Sequence, residues 1–78
     1  MSDLDRVRWQ CRRGLLELDL VLARFVERQF FSLAPAEQES FKRLLQYPDN
    51  DLWDLIAGRR EPQAGEPLGL IRLLRSAY

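Results

Sequence analysis

The chain has no histidine, and its 78 residues include one cysteine and one lysine. Without histidine it lacks the side chain that most often acts as a general base or metal ligand near neutral pH. The single cysteine excludes an internal disulfide and is typical of a reducing compartment. No apolar run approaches the ~20 residues of a membrane-spanning helix, and Asp3, Asp5 and Arg6 stand where a signal peptide would need apolar residues. We therefore expect a cytoplasmic protein without membrane insertion.

Excess charge of either sign is also missing, because 12 basic residues balance 12 acidic ones. This balance removes the broad electrostatic attraction to nucleic acid or anionic lipid. The two arginine pairs, Arg12-Arg13 and Arg59-Arg60, each have acidic residues nearby. A small helix-turn-helix fold is compatible with the chain length, but the charge balance argues against a nucleic-acid partner.

The residue patterns of an autonomous enzyme are absent as well. Cys11 has no histidine partner. The nearby Arg8 and Arg12 could lower the pKa of its thiol, but no group would orient an acyl acceptor beside it. We therefore interpret Cys11 as a half-buried residue of the first helix. Glu17 and Asp19 are two positions apart and would point in nearly opposite directions on a helix. The sequence contains no glycine-rich phosphate loop and no Cys/His zinc cluster. It therefore predicts no catalytic or metal site.

Helical periodicity and the lack of period-two alternation predict a single all-α domain over residues 1–78, a compact bundle of about five short helices. Capping residues, prolines and glycines set the expected boundaries. We expect a first helix that is capped by Ser2 or Asp3 and runs to about Arg12, a second from Leu15 to Phe31, and a third that begins at Pro35 and is ended by Tyr47-Pro48. A fourth helix is expected from Asn50 to Ala57, capped by Asp49 and stopped by Gly58. An exposed loop from Arg59 to Gly65 then leads to a last helix from Pro67 to about Ala77.

The second predicted helix has the clearest amphipathic pattern. Its apolar residues recur at steps of three and four, at Leu15, Leu18, Leu22, Phe25, Val26 and Phe30. Leu16, Leu20 and Ala23 widen this arc, so we expect the helix to be packed on two sides at the centre of the fold. Trp9 and Trp53 fall outside the apolar spacings. They either close the rim of a small core or anchor an interface.

The segment around Gly14 concentrates charge beside this apolar stripe. On a continuous helix, Arg13 and Glu17 share one face. If the chain breaks at Gly14, Glu17 instead lies in the first turn of the next helix, where the macrodipole favours an anion. In both cases we expect an arginine fork displayed beside a carboxylate, which suits recognition better than catalysis.

The sequence Arg-Arg-Gly-Leu-Leu-Glu-Leu-Asp at residues 12–19 resembles the Arg-Gly-x-x-Glu signature of the small succinate dehydrogenase assembly factors, the flavinylation factors of bacteria and mitochondria. The similarity covers most of the chain between Asp5 and Ile56. It includes the Trp9–Gly14 context, the Phe30–Leu33 turn, the Glu37–Leu45 helix and the Asp49–Trp53 segment, with a weaker helical match at Leu68–Leu74.

The resemblance implies a monomeric helical chaperone that binds the flavoprotein subunit of succinate dehydrogenase, and often that of fumarate reductase. It promotes covalent attachment of FAD to that client's own histidine, while the client holds the FAD. The family's partner-binding patch falls on Arg13, Gly14 and Glu17, with Arg12, Trp9 and Asp19 as neighbours.

The mechanistic hypothesis that accompanies this resemblance is that the patch holds the client in a conformation competent for flavin linkage, before the iron-sulfur subunit covers the same surface. A second function stays open at this point. The same surface would also serve an antitoxin-like module that neutralises a small membrane toxin.

Overall fold

The regular structure is entirely helical over the part of the chain that the computed structural model describes, residues 2–77 without the side chain of Asp3. This confirms the predicted all-α fold. The helices are α1 (Asp3–Gln10), α2 (Leu16–Gln29), α3 (Pro35–Leu44), α4 (Asp49–Ala57) and α5 (Leu68–Ala77), with a short 3-10 helix (Phe30–Ser32) directly after α2. Within these residues no helix is both long and apolar enough to cross a membrane.

Local signals in the sequence explain most helix ends. Ser2 caps α1, since its hydroxyl accepts the Asp5 N–H at 3.1 Å. Pro35 opens α3 at a position where its missing N–H costs nothing. Gly58 ends α4 with a φ of +85°, a left-handed conformation that glycine adopts without penalty.

The predicted cap of α4 was wrong by one residue. The N-cap is Pro48, and Asp49 is the first helical residue. The Asp49 side chain makes no capping hydrogen bond, because it accepts one from a distant arginine instead.

One apolar core holds the helices together. α5 packs against α2, α3 and α4, and the rings of Phe25 and Phe30 lie 5.1 and 5.9 Å from the ring of Phe41. The later helices and the C-cap of α3 also contribute buried residues to this core: Phe41, Leu44, Leu45, Leu52, Leu55, Ile56, Leu70, Ile71 and Leu74.

The prediction that α2 is packed on two sides was wrong. Leu16 is 74% exposed and Leu20 46% exposed, and Ala23 is exposed beside them. The buried stripe of α2, from Leu18 to Val26, faces the core, while the second apolar stripe faces outward.

The predicted exposed loop after α4 is tied to the bundle at several points. The Tyr47 hydroxyl donates to a Glu66 carboxylate oxygen at 2.6 Å, and Arg60 donates to the same oxygen at 3.1 Å. Arg75 donates to the backbone carbonyls of Arg60 and Leu55 at 3.0 and 2.9 Å. The loop therefore links the end of α3 to the start of α5, although most of its residues are exposed.

Candidate functional site

The α1–α2 turn contains the charged segment that the sequence singled out. α1 ends at Gln10 and α2 begins at Leu16, so the chain breaks at Gly14 rather than running on as one helix. Gly14 has a φ of +82°, and an added β-carbon would meet nothing within 4 Å. Glycine is therefore required here by the backbone conformation rather than by lack of space. Glu17 lies in the first turn of α2.

Asp19 holds this turn in shape. Its carboxylate accepts the backbone N–H of Arg13 at 2.7 Å and that of Gly14 at 3.2 Å. Asp19 is itself half-buried in the first turn of α2, where the helix dipole favours its charge. The structure thus assigns Asp19 an internal role in positioning the turn.

Arg13 points inward, into the connection between α3 and α4. Its side chain is 10% exposed. The guanidinium donates to the backbone carbonyl of Tyr47 at 2.7 Å, to the carbonyl of Leu45, and to the Asp49 carboxylate at 2.8 Å. Carbonyls at the C-terminal end of a helix lack intrahelical partners and attract cations. Arg13 satisfies them, so it joins the α1–α2 turn to the α3–α4 turn.

The expected display of an arginine fork beside a carboxylate is therefore wrong. Arg13 is committed to backbone carbonyls and Asp49, whereas Glu17 is exposed and makes no hydrogen bond or ion pair with a described residue. The two side chains leave the turn in different directions because Gly14 breaks the helix that would have aligned them.

The predicted site residues that remain exposed are Trp9, Arg12, Gly14 and Glu17. Trp9 is 68% exposed, which rules out its role at the rim of the core and leaves the interface interpretation. Trp53, by contrast, is half-buried against the core, with the Arg59 guanidinium 5.8 Å from its ring. Trp9 and Arg12 border a shallow depression next to Arg13.

Cys11 is buried rather than half-buried as expected, with 3% of its surface exposed. Burial raises the pKa of its thiol to about 12, although the nearby positive charge of Arg13 acts in the opposite direction. Burial therefore outweighs the lowering effect of a nearby arginine on this pKa. The thiol stays protonated at neutral pH and is unsuited to nucleophilic chemistry.

Sequence reasoning missed two features of this region. The partner of Arg13, Asp49, was interpreted only as a helix-starting residue. The outward stripe of α2 was assigned to the core, yet it lines a groove of about 550 Å³. We call this the α1–α2 groove, and its lining comprises Arg8, Cys11, Arg12, Leu16, Asp19, Leu20, Ala23, Val26 and Glu27. The unusually wide apolar arc of α2 was the available signal.

A rigid turn, an exposed tryptophan and an apolar groove are together typical of a small all-α protein that recognises another protein. The comparison with known proteins identifies the group more closely. A family model described as flavinator of succinate dehydrogenase matches residues 5–78, and the chain belongs to this family.

Several curated relatives carry the name FAD assembly factor SdhE. One from Coxiella burnetii is 44% identical over 70 residues, covering 90% of this chain and 85% of the relative. One from Yersinia pestis is 38% identical over 71 residues, covering 91% and 81%. One from Pectobacterium atrosepticum is 37% identical over 76 residues, covering 97% and 86%. No solved structure matches the chain.

Proposed function

We propose that this protein is an FAD assembly factor that binds the flavoprotein subunit of succinate dehydrogenase and promotes the covalent attachment of FAD to that subunit. The observation that carries the proposal is membership of the flavinator family over residues 5–78. The 44% identity to the Coxiella burnetii FAD assembly factor over 90% of this chain supports it. The resemblance extends the client range to the flavoprotein subunit of fumarate reductase.

The client makes the bond to the flavin, and this chain acts by binding. The Arg13–Asp49 ion pair and the Asp19 hydrogen bonds hold the α1–α2 turn rigid. On this framework the exposed side chains of Trp9, Arg12 and Glu17 contact the client. A partner that prefers one client conformation by ~2–3 kcal/mol raises the occupancy of that conformation by up to about a hundredfold.

We further propose that FAD is not a resident cofactor of this chain. A dinucleotide diphosphate commonly binds at a helix N-terminus. The first turn of α2 carries the carboxylates of Glu17 and Asp19, which disfavour a diphosphate at that helix N-terminus. We therefore assign the FAD to the client. We also propose that this chain acts as a monomeric cytoplasmic partner that supplies no catalytic group.

Deleting the gene in its native host and measuring covalent flavin on the succinate dehydrogenase flavoprotein subunit tests the proposal. The fluorescence of FAD that stays with this subunit on a denaturing gel should fall strongly and return when the gene is restored. Purified protein should likewise speed flavin attachment in a mixture of the flavin-free subunit and FAD. Normal flavinylation in both assays would overturn the proposal.

The antitoxin-like alternative gains no support from the comparisons, because the three relatives described above are all named FAD assembly factors. Affinity purification from the native host separates the two functions. The proposal expects recovery of the large flavoprotein subunit, whereas recovery of a small membrane protein in its place would contradict it.

A further inference from the structure

The α1–α2 groove has a regular apolar wall. Leu16, Leu20, Ala23 and Glu27 follow one another on α2 at steps of four, three and four, so they form a single row along one helix face. The row spans about three turns, or ~16 Å. Arg8 and Arg12, from α1 and the turn after it, also line the groove, as do the buried residues Cys11 and Val26.

The row leaves large apolar side chains in water. Leu16 is 74% and Leu20 46% exposed. Scattered apolar side chains are normal on a protein surface, but a continuous row beside a groove marks a docking site for an amphipathic helix. Such a helix would present apolar residues at the same three- and four-residue spacing.

The charges of the groove select the chemistry of its occupant. Arg8 and Arg12 are exposed and form no ion pair with a described residue. Two carboxylates also line the groove, that of Glu27 and that of Asp19, which accepts hydrogen bonds from the backbone N–H groups of Arg13 and Gly14. Glu27 lies at the far end of the row. Arg8 and Arg12 therefore favour acidic side chains of the occupant near them.

A second copy of this chain fits the groove poorly. A stable dimer buries about 800 Å² on each partner. A row ~16 Å long and about 10 Å wide offers far less. The groove is therefore better suited to one part of a larger interface with a different protein. It is continuous with the candidate site, because Arg12 borders both the groove and the depression next to Trp9.

We infer that the α1–α2 groove receives an amphipathic segment of the flavoprotein client, about three helical turns long, with acidic residues near Arg8 and Arg12. This inference rests on the proposed function. Leu16 and Leu20 then contribute the apolar contacts, and Arg8 and Arg12 set the direction of the segment. The groove extends the binding surface well beyond the Arg-Gly-x-x-Glu motif.

The test compares two leucines of nearly equal exposure. Leu20, at 46%, lines the groove, whereas Leu68, at 45%, lies on α5 outside it. The affinity of Leu20→Asp and Leu68→Asp for the purified flavin-free flavoprotein subunit is measured by titration calorimetry, with thermal unfolding as a check on folding. We expect Leu20→Asp to bind at least tenfold more weakly than wild type and Leu68→Asp to bind within twofold of it.

A charge reversal tests the chemistry of the occupant. Arg8→Glu should weaken binding several-fold and reduce its dependence on salt concentration. Arg24→Glu makes the same charge change at an exposed position of α2 outside the groove. It should leave the affinity and its dependence on salt concentration unchanged. If Arg8→Glu and Arg24→Glu change the affinity and its salt dependence equally, the inference that the occupant is acidic is overturned.

The outcomes separate this inference from the proposed function. If wild-type protein binds the client and promotes its flavinylation, and Leu20→Asp does both equally well, the groove assignment alone is overturned. Wild-type protein that does neither would overturn the proposed function and the inference together. If the wild type self-associates and Leu20→Asp abolishes this self-association, the occupant is a second copy of the chain and the inference is overturned.

Discussion

The Arg13 guanidinium nitrogen Nη1 lies 2.8 Å from the Asp49 carboxylate oxygen Oδ1 and joins two turns that are 36 residues apart in the sequence. The same guanidinium group donates to the carbonyls of Leu45 and Tyr47 at the end of α3. In this chain, the arginine of the Arg-Gly-x-x-Glu motif therefore holds the fold together at the base of the candidate site. The exposed side chains around it are left to meet a partner.

Replacing Arg13 should destabilise the protein. Arg13→Ala removes the ion pair and leaves the carbonyls of Leu45 and Tyr47 without their donor, so we expect a loss of about 2–4 kcal/mol in the free energy of unfolding. Arg12→Ala, at the exposed neighbouring position, should change it by less than about 0.5 kcal/mol. Urea unfolding of both variants checks this. Equal stabilities of the two variants would show that Arg13 is not structural.

Adding a β-carbon at Gly14 should strain the turn. Gly14→Ala forces an alanine into a φ of +82°, which costs about 1–2 kcal/mol even though the space is open. Gly69→Ala is the matched control, since this glycine lies in α5 with nothing within 4 Å of its added β-carbon. The control should gain up to about 1 kcal/mol. Thermal unfolding should therefore shift in opposite directions for the two variants.

Removing the Glu17 carboxylate should affect the client and not the fold. Glu17 is exposed and contacts no described residue through a hydrogen bond, so Glu17→Ala should unfold within about 0.5 kcal/mol of wild type. Covalent flavin on the client should decrease in a strain that carries only this variant. Glu61→Ala, at an exposed position in the loop after α4, is the control. Full flavinylation with Glu17→Ala would remove Glu17 from the binding surface.

The Glu66 carboxylate should make the free energy of unfolding depend on pH in the acid range. Hydrogen bonds from the Gln63 N–H, the Tyr47 hydroxyl and Arg60 hold the pKa of Glu66 below its ordinary value of 4.5. A folded-state pKa below the unfolded one adds stability that is fully present above about pH 4.5 and is lost as the pH falls through the folded value.

Glu66→Gln should therefore be less stable than wild type at about pH 7, and the difference should shrink below about pH 4.5. Urea unfolding measured from about pH 7 to pH 3 checks this. Glu61→Gln, in the same loop, should follow the wild-type curve. A stability difference between Glu66→Gln and wild type that is constant over this range would contradict the assigned hydrogen bonds.

The Cys11 thiol should resist alkylation in the folded protein. Its pKa of about 12, against an ordinary 9.0, lowers the thiolate fraction about a thousandfold, and burial further restricts access. Iodoacetamide at about pH 8 should modify Cys11 slowly without denaturant and quickly in urea. The two rates, followed by mass spectrometry, should differ by at least about a hundredfold. Similar rates would place the thiol at the surface.

Helix identity and most helix ends could be predicted from the sequence because their causes are local. The Ser2 cap, Pro35 at the start of α3 and the left-handed Gly58 at the end of α4 all act within a few residues. The first α4 residue was misassigned because the Asp49 side chain serves a contact that lies far away in the sequence.

The candidate site was predicted less completely. Gly14 and Glu17 lie where one of the two sequence alternatives placed them, at a chain break and in the first turn of α2. The direction of Arg13 could not be predicted, since its acceptors Tyr47 and Asp49 are 34 and 36 residues away. Periodicity reports which residues share a helix face but not which of two apolar faces finds a neighbour.

The amino-acid sequence by itself determined that the chain is helical, where its turns fall and which family it resembles, because capping, helical spacing and short motifs act over one or two turns. Only the tertiary structure decided that Arg13 faces inward and that Leu16 and Leu20 face the solvent. The physical reason is that a small chain buries one face of α2 against α5, and the packing of distant helices selects that face.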